Sequence, residues 1–338
     1  MAPNMLDVFR GGGFDVISLS EAMNNLPLMP TRLTAMGLFA DEGIDTTIVA
    51  IEVLDGALKL IKNTPRGAPA TPVTEGKRTL TDLRITHLVQ NGSVLADEVQ
   101  GIRAFGSTTE KDQVQAKVDR ELLQMRNNIA VTVEHLKMGA LKGLILDADG
   151  STIYNLYTVF GVAQQTVDME LSTAATDVLL KSIDIAAAIE DALGSYMYTG
   201  IHAFCGLDFF KAITSHKSVR QFMLNTGQSQ SVIENGFRFN GVLLGNVMWE
   251  LYRGKVGSTN FVESDEAYAF PLGVPDMFKT YYGPADYVET VNTPGIPYYA
   301  KQEMMPFEKG VQFESQSNPL PINKRPRAVI KLGLDSAS

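Results

Sequence analysis

Cysteine is all but missing from this chain: its 338 residues hold one, Cys205. A single thiol excludes an intrachain disulfide and fits a reducing compartment. It lies in the apolar run Ile201-His-Ala-Phe-Cys-Gly206, which reads as buried packing rather than the setting of a nucleophile. No run approaches the roughly 20 apolar residues of a membrane span, so no membrane association is expected. The opening Met1-Ala-Pro-Asn-Met-Leu-Asp7 lacks the charged-then-apolar order of a signal peptide. Positive charge is also in short supply, with 29 Lys and Arg against 38 Asp and Glu, a net charge of −9. Nucleic-acid binders draw their affinity from cations at phosphates, so specific DNA binding is not expected.

The familiar catalytic and metal-binding spacings are missing too. The four histidines stand at 87, 135, 202 and 216, none in a His-Glu-x-x-His spacing. Glu134 and His135 are neighbours on a helix and point roughly 100° apart, which does not make a ligand pair. There is no Gly-x-Ser-x-Gly elbow, no phosphate loop and no dinucleotide fingerprint. Gly11-Gly-Gly13 follows no strand and argues for a mobile arm rather than a nucleotide loop. Asp147-Ala-Asp149-Gly150 starts like a calcium loop, but the twelfth position, where that loop needs a glutamate, is Thr158. Glu263-Ser-Asp265-Glu266 reads as a solvated turn or the partner of a basic neighbour. No catalytic, cofactor-binding or metal-ligating residue is nominated, and no cofactor is implied.

What the chain does have is alternation. Thr47, Val49, Ile51 and Val53 alternate with Ile48, Ala50 and Glu52, and Leu83, Ile85, His87 and Val89 share one face of a second run. His87 is therefore expected to pack. Between the runs lies Asn63-Thr-Pro-Arg-Gly-Ala-Pro-Ala-Thr-Pro72, which proline keeps from being helical. Arms of roughly 20 residues at about 3.3 Å each reach up to ~65 Å. A domain of this length has a radius of gyration of only about 20 Å. Such an arm is expected to lie on another subunit. Its tip carries Lys59, Lys62, Arg66, Lys77 and Arg78 against Glu75, a net +4 between residues 56 and 78 that leaves −13 for the remainder. These five cations are the candidate inter-subunit contacts.

Helical periodicity dominates the next stretch. Ser107 and Glu110 are spaced as a capping box, and Val114, Val118, Leu122, Met125, Ile129, Val133, Leu136 and Ala140 form one apolar stripe. A helix over 108–142, about 50 Å long, would be a structural spine, with the stripe buried. A shorter helix is expected from Ser18, again with a box at Glu21, to Leu26, ended by Pro27. Asp149-Gly150 predicts a hairpin turn. From 175 to 285 the pattern turns to alternating helix and strand: helices over 177–193 and 207–224, and strands near 201–205, 241–250 and 267–270. Val311 and Phe313 predict a strand that Ser317-Asn-Pro-Leu-Pro321 breaks, and Ala328–Leu332 a returning strand.

Fragments in order along the chain resemble a known family. They include Ile17-Ser-Leu-Ser-Glu-Ala-Met-Asn24, Pro27-Leu-Met-Pro30, Leu38-Phe39, Pro65-Arg-Gly-Ala-Pro69 and Glu134-His-Leu-Lys-Met-Gly-Ala-Leu-Lys-Gly143. Asp147-Ala-Asp-Gly150, Tyr282-Gly-Pro-Ala-Asp286, Asn292-Thr-Pro-Gly295, Ser317-Asn-Pro-Leu-Pro321 and Arg325-Pro326 continue the series. The set resembles the major capsid proteins of lambda-like tailed bacteriophages, the major capsid protein E family. That resemblance implies an α+β Hong Kong 97-type capsid fold. Its parts would be an N-terminal arm (1–44), an E-loop hairpin (45–100), a P-domain (101–170, spine 108–142), an A-domain (171–284), P-domain return strands (285–321) and a C-terminal strand (322–338).

The implied function is structural: self-assembly into pentamers and hexamers of an icosahedral head enclosing packaged double-stranded DNA. The alternatives are an encapsulin-like compartment shell and a cytoplasmic α/β enzyme using residues 175–285. The implied partners are further copies of the chain, a portal protein and a decoration protein. The E-loop starts too early to leave room for the scaffolding extension of some relatives, so a separate scaffolding protein is expected. No motif assigns a cross-linking lysine and asparagine, so shells free of covalent links are expected. The implied location is the virion, after assembly in the cytoplasm of a bacterial host.

Overall fold

The computed structural model describes residues 16–25, 31–55, 77–99, 110–226 and 241–335. Its longer helices are α1 (Val16–Asn25), α2 (Glu110–Lys142), α3 (Val178–Leu193), α4 (Leu207–Ser215) and α5 (Lys217–Thr226). The first strands are β1 (Ala40–Gly43), β2 (Ile48–Asp55), β3 (Lys77–Arg84), β4 (Leu88–Leu95), β5 (Leu144–Leu146) and β6 (Thr152–Asn155). After them come β7 (Gln165–Asp168), β8 (Gly200–Cys205), β9 (Val242–Leu244), β10 (Val247–Leu251), β11 (Lys255–Val256) and β12 (Thr259–Asn260). The last are β13 (Glu266–Leu272), β14 (Phe278–Tyr282), β15 (Tyr299–Met304), β16 (Gly310–Ser317), β17 (Pro319–Asn323) and β18 (Ile330–Gly333). The chain divides into two compact units, one of residues 1–49, 84–137 and 279–321, the other of 50–83, 138–278 and 322–338.

The first unit is built on the antiparallel sheet β15-β16-β4. Helix α2 lays its apolar stripe on that sheet. Val118, Leu122, Met125, Ile129 and Val133 form one core with Val94 of β4, Ala300 of β15 and Val311 and Phe313 of β16. Leu19 and Met23 of α1 close the same core. Leu136 is buried as well, whereas the Val114 side chain lies outside the described residues. The Ser107–Glu110 box also falls outside them. The helix ends at Lys142, where Gly143 takes φ +81°, a left-handed conformation that glycine adopts without strain.

The second unit centres on a six-stranded mixed sheet in the order β7-β18-β13-β8-β10-β9. Strand β8 is buried from Ile201 to Cys205. It runs parallel to β10 and antiparallel to β13, while β18 enters between β13 and β7. Helix α4 covers one face, with Phe209 stacked on Trp249 at 6.0 Å. Asp177 caps α3 by accepting from the backbone N–H groups of Leu179 and Leu180.

Three local expectations are corrected. Helix α1 begins at Val16, so Ser18 lies inside its first turn and cannot cap it. The run 207–224 is two helices broken at His216, whose extended backbone (φ −60°, ψ 139°) lets its ring Nδ1 receive the Ser218 N–H at 3.4 Å while Nε2 meets the Thr173 carbonyl at 3.2 Å. The strand holding Val311 and Phe313 does break where expected: β16 ends at Ser317, and the chain resumes at Pro319 as β17, an edge strand of another sheet where a missing N–H costs no ladder bond. The run from 77 to 95 is split at 85–87, so Leu83, Ile85, His87 and Val89 do not share one strand face. Leu83 is buried, and both His87 and Val89 are exposed.

Candidate assembly site

Strands β2 and β3 pair as a two-stranded ribbon separate from the larger sheets. Proline in the intervening segment and period-two alternation in the arms account for a ribbon rather than a helix. Among its described side chains, Val49, Ile51 and Leu83 are buried. Lys59, Lys62 and Arg66, the predicted contact cations, lie outside the described residues, as do the Gly11–Gly13 arm and the Pro65–Pro69 motif. Lys77 and Arg78 begin β3, but their side chains are not described.

The root of the ribbon is held within the first unit by a polar network centred on Asn318. Ile85 N–H donates to the Thr47 carbonyl at 3.1 Å, continuing the pairing past β3. Asn318 Nδ2 donates to the Pro284 carbonyl at 2.7 Å, which turns its Oδ1 toward His87 Nδ1 at 2.8 Å. His87 Nδ1 must therefore carry the proton and donate. The Thr86 hydroxyl donates to the Pro319 carbonyl, and Gly283 N–H to that of Asn318 at 3.0 Å. Beside this network lies an open cleft of about 720 Å³, lined by Asp45, Thr47, His87, Pro284, Val291 and Asn318 among others. His87 is thus an exposed tether of the ribbon, not a packed strand residue.

A second set of bonds ties residues 31–43 to α2. Glu134 Oε1 accepts the Leu33 N–H at 2.8 Å, and Lys137, almost fully buried, reaches Asp41 at 3.5 Å and lies 5.8 Å from the Phe39 ring centre. Gly295 N–H donates to the Ile44 carbonyl at 2.9 Å, and Ile44 N–H donates to the Tyr282 carbonyl at 2.8 Å. Sequence reasoning nominated none of Glu134, Lys137 or Asn318 as site residues. The signal available was their presence in the motifs Glu134–Gly143 and Ser317–Pro321.

In the second unit, His202, Glu250 and Cys205 are buried. His202 Nε2 meets Glu250 Oε2 at 2.9 Å with both side chains buried among Phe204 and Phe270. Burial, with the nearby Glu250 charge, pushes the Cys205 thiol far above its ordinary pKa, so no reactive thiolate forms there. The acidic run 263–266 finds an internal partner: Glu266 pairs with Lys331 and accepts from the Tyr268 hydroxyl at 2.7 Å. Burial lowers the Lys142 pKa, and its ammonium donates to the Phe261 carbonyl at 3.1 Å, lying 5.3 Å from the Tyr268 ring centre. Among the described residues no three His, Cys, Asp or Glu side chains are grouped to hold a metal ion, and no helix is long and apolar enough to cross a membrane. These groups stabilise a sheet and its edges.

The family model described as phage major capsid protein E matches residues 15–334. The major capsid protein of Pseudomonas phage KPP10 is 28% identical over 342 residues, covering 94% of this chain and 96% of that one. The major capsid protein of Salmonella phage Felix O1 is 24% identical over 356 residues, covering 96% and 97% respectively. Among solved structures, the capsid of an empty GTA particle superposes with a TM-score of 0.52 at 10% identity, covering 92% of each chain.

Proposed function

The chain belongs to the phage major capsid protein E family and has the α+β Hong Kong 97-type fold, and on that footing we propose that its copies form the pentamers and hexamers of an icosahedral head enclosing double-stranded DNA. The observation that carries this reading is the extent of the match, residues 15–334, which takes in both units and the ribbon. In this reading 1–44 is the N-terminal arm, 45–100 the E-loop, 101–170 and 285–321 the P-domain, 171–284 the A-domain and 322–338 its closing strand. The ribbon's polar root suits an arm that must leave its own domain at a defined angle and lie on a neighbour.

The role is structural rather than catalytic, in keeping with a family of shell proteins and with the sealed His202–Glu250 pair. A net charge of −9 suits a wall that encloses DNA without gripping its phosphates. A separate scaffolding protein, a portal and a decoration protein are the partners of this reading, with assembly in the bacterial cytoplasm before the shell becomes part of the virion. The test is the assembly state of the expressed protein, with its scaffold, by negative-stain imaging and light scattering. Closed shells or capsomers are expected, and protein that never exceeds a small oligomer at micromolar concentration refutes the reading.

A further inference from the structure

Two helices of the second unit present outer faces of opposite charge. On α3 the inner face is set by buried Val178, Ser182, Ile185, Ile189 and Leu193. The opposite line runs through Leu180, Asp184, Ala187 and Asp191, all exposed, with Ile183 alongside. Leu180 is 58% exposed and Ile183 49%. Helix α5 buries Val219 and Met223 and turns Lys217, Arg220 and Leu224 outward, with Leu224 74% exposed. Single exposed aliphatic residues need no explanation. Here, however, the exposed apolar groups of α3 sit among carboxylates, and that of α5 follows two cations along one exposed line.

Those signs decide which faces can meet. Two α3 faces would set carboxylate against carboxylate, and two α5 faces cation against cation, so neither patch suits itself. An α3 face against an α5 face pairs Asp184 and Asp191 with Lys217 and Arg220, and covers Leu180, Ile183 and Leu224 together. We infer that in the assembled protein the outer face of α3 on one copy docks on the outer face of α5 on the next copy. The contact is heterologous, using two different patches of one chain, and such contacts repeated by rotation close into rings. The inference rests on the self-assembly reading and names a contact through which that assembly proceeds.

Cysteine cross-linking tests the contact directly, because the native Cys205 is fully buried. Leu180→Cys and Leu224→Cys variants are oxidised separately and as a mixture. A disulfide needs Cβ atoms about 4 Å apart, so it reports real contact. The mixture is expected to give a disulfide-linked dimer in several-fold higher yield than either variant alone. Equal yields in all three samples, or efficient dimers from Leu180→Cys alone, overturn the proposal.

A charge swap is the second arm. Asp184→Lys with Asp191→Lys is expected to weaken assembly about tenfold, and adding Lys217→Glu with Arg220→Glu is expected to recover it. Loss without recovery in chains that keep the parent's circular dichroism also overturns it. Cross-linking is read on whatever oligomer forms, so a parent that never builds shells refutes the proposed function while the α3–α5 contact is still decided.

Discussion

Glu266 lies between a cost and several compensations. Burial raises its pKa, but the bonds from Lys331 and Tyr268 and the charges of Lys331 and Lys142 outweigh that and hold it below the usual glutamate range. A carboxylate depressed in the folded state contributes stability that is complete above its unfolded pKa, about 4.3, and is lost as pH falls through the folded value. Lys331→Gln is therefore expected to lower the urea midpoint at neutral pH, with the gap from the parent closing as pH falls from about 5 through the glutamate range. Urea titrations at a series of pH values check this, and a gap that stays constant with pH would show that the ion pair contributes nothing. Lys142 has the same sign at the alkaline end of the pH range. Its lowered pKa means that the unfolded chain holds the proton more tightly, so stability rises as pH climbs through the folded value toward the ordinary lysine range.

At the scale of elements, α2 and the β1–β14 pairing depend on close fit. Leu122 is 1% exposed in the core between α2 and the β15-β16-β4 sheet. Leu122→Asp would bury a charge with no partner and is expected to cost on the order of 4 kcal/mol, giving insoluble or protease-sensitive protein. Leu122→Met, which nearly conserves volume, should stay within about 1.5 kcal/mol of the parent. Strand β1 runs parallel to β14, and Gly295 is pressed against that pair. A Cβ at Gly295 would lie 2.1 Å from the Tyr282 carbonyl oxygen, an atom of the backbone that cannot swing away. Gly295→Ala is expected to destabilise by about 1–3 kcal/mol. Amide hydrogen exchange at Ile44, whose N–H bonds the Tyr282 carbonyl, should then speed up by roughly tenfold or more.

At the scale of the whole molecule, assembly multiplies weak contacts. In the proposed shell, Lys59, Lys62, Arg66, Lys77 and Arg78 of the proposed E-loop would face an acidic neighbour across a screening length of about 8 Å at physiological salt. Each exposed pair contributes ~0.2–1 kcal/mol, but every subunit repeats it around the shell. The double variant Lys62→Glu with Arg66→Glu is expected to keep the parent's circular dichroism and to assemble more slowly by light scattering, with high salt narrowing the difference. Assembly at the parent's rate in low salt would remove these residues from the contact.

Local chemistry was enough to read α2, because a stripe from Val118 to Ala140 and a glycine at 143 need only the helical period and a left-handed stop. The Asp149-Gly150 turn was legible for the same reason: its bond closes within two residues of its origin. The burial of Cys205 and β8 followed from an apolar run interrupted only by His202. Family membership was legible too, since it resides in the order of motifs and not in their contacts. Tertiary structure decided the rest. Proline in β17 is tolerated only because that strand lies at a sheet edge, a position that no residue of the strand encodes. His216 breaks a helix by capping α5 and by meeting Thr173, 43 positions away. Glu134 and His87 find partners 101 and 231 positions away, at Leu33 and Asn318. Periodicity reports which face a side chain takes along its own element, whereas a polar group's partner across the fold is set by how the elements come together.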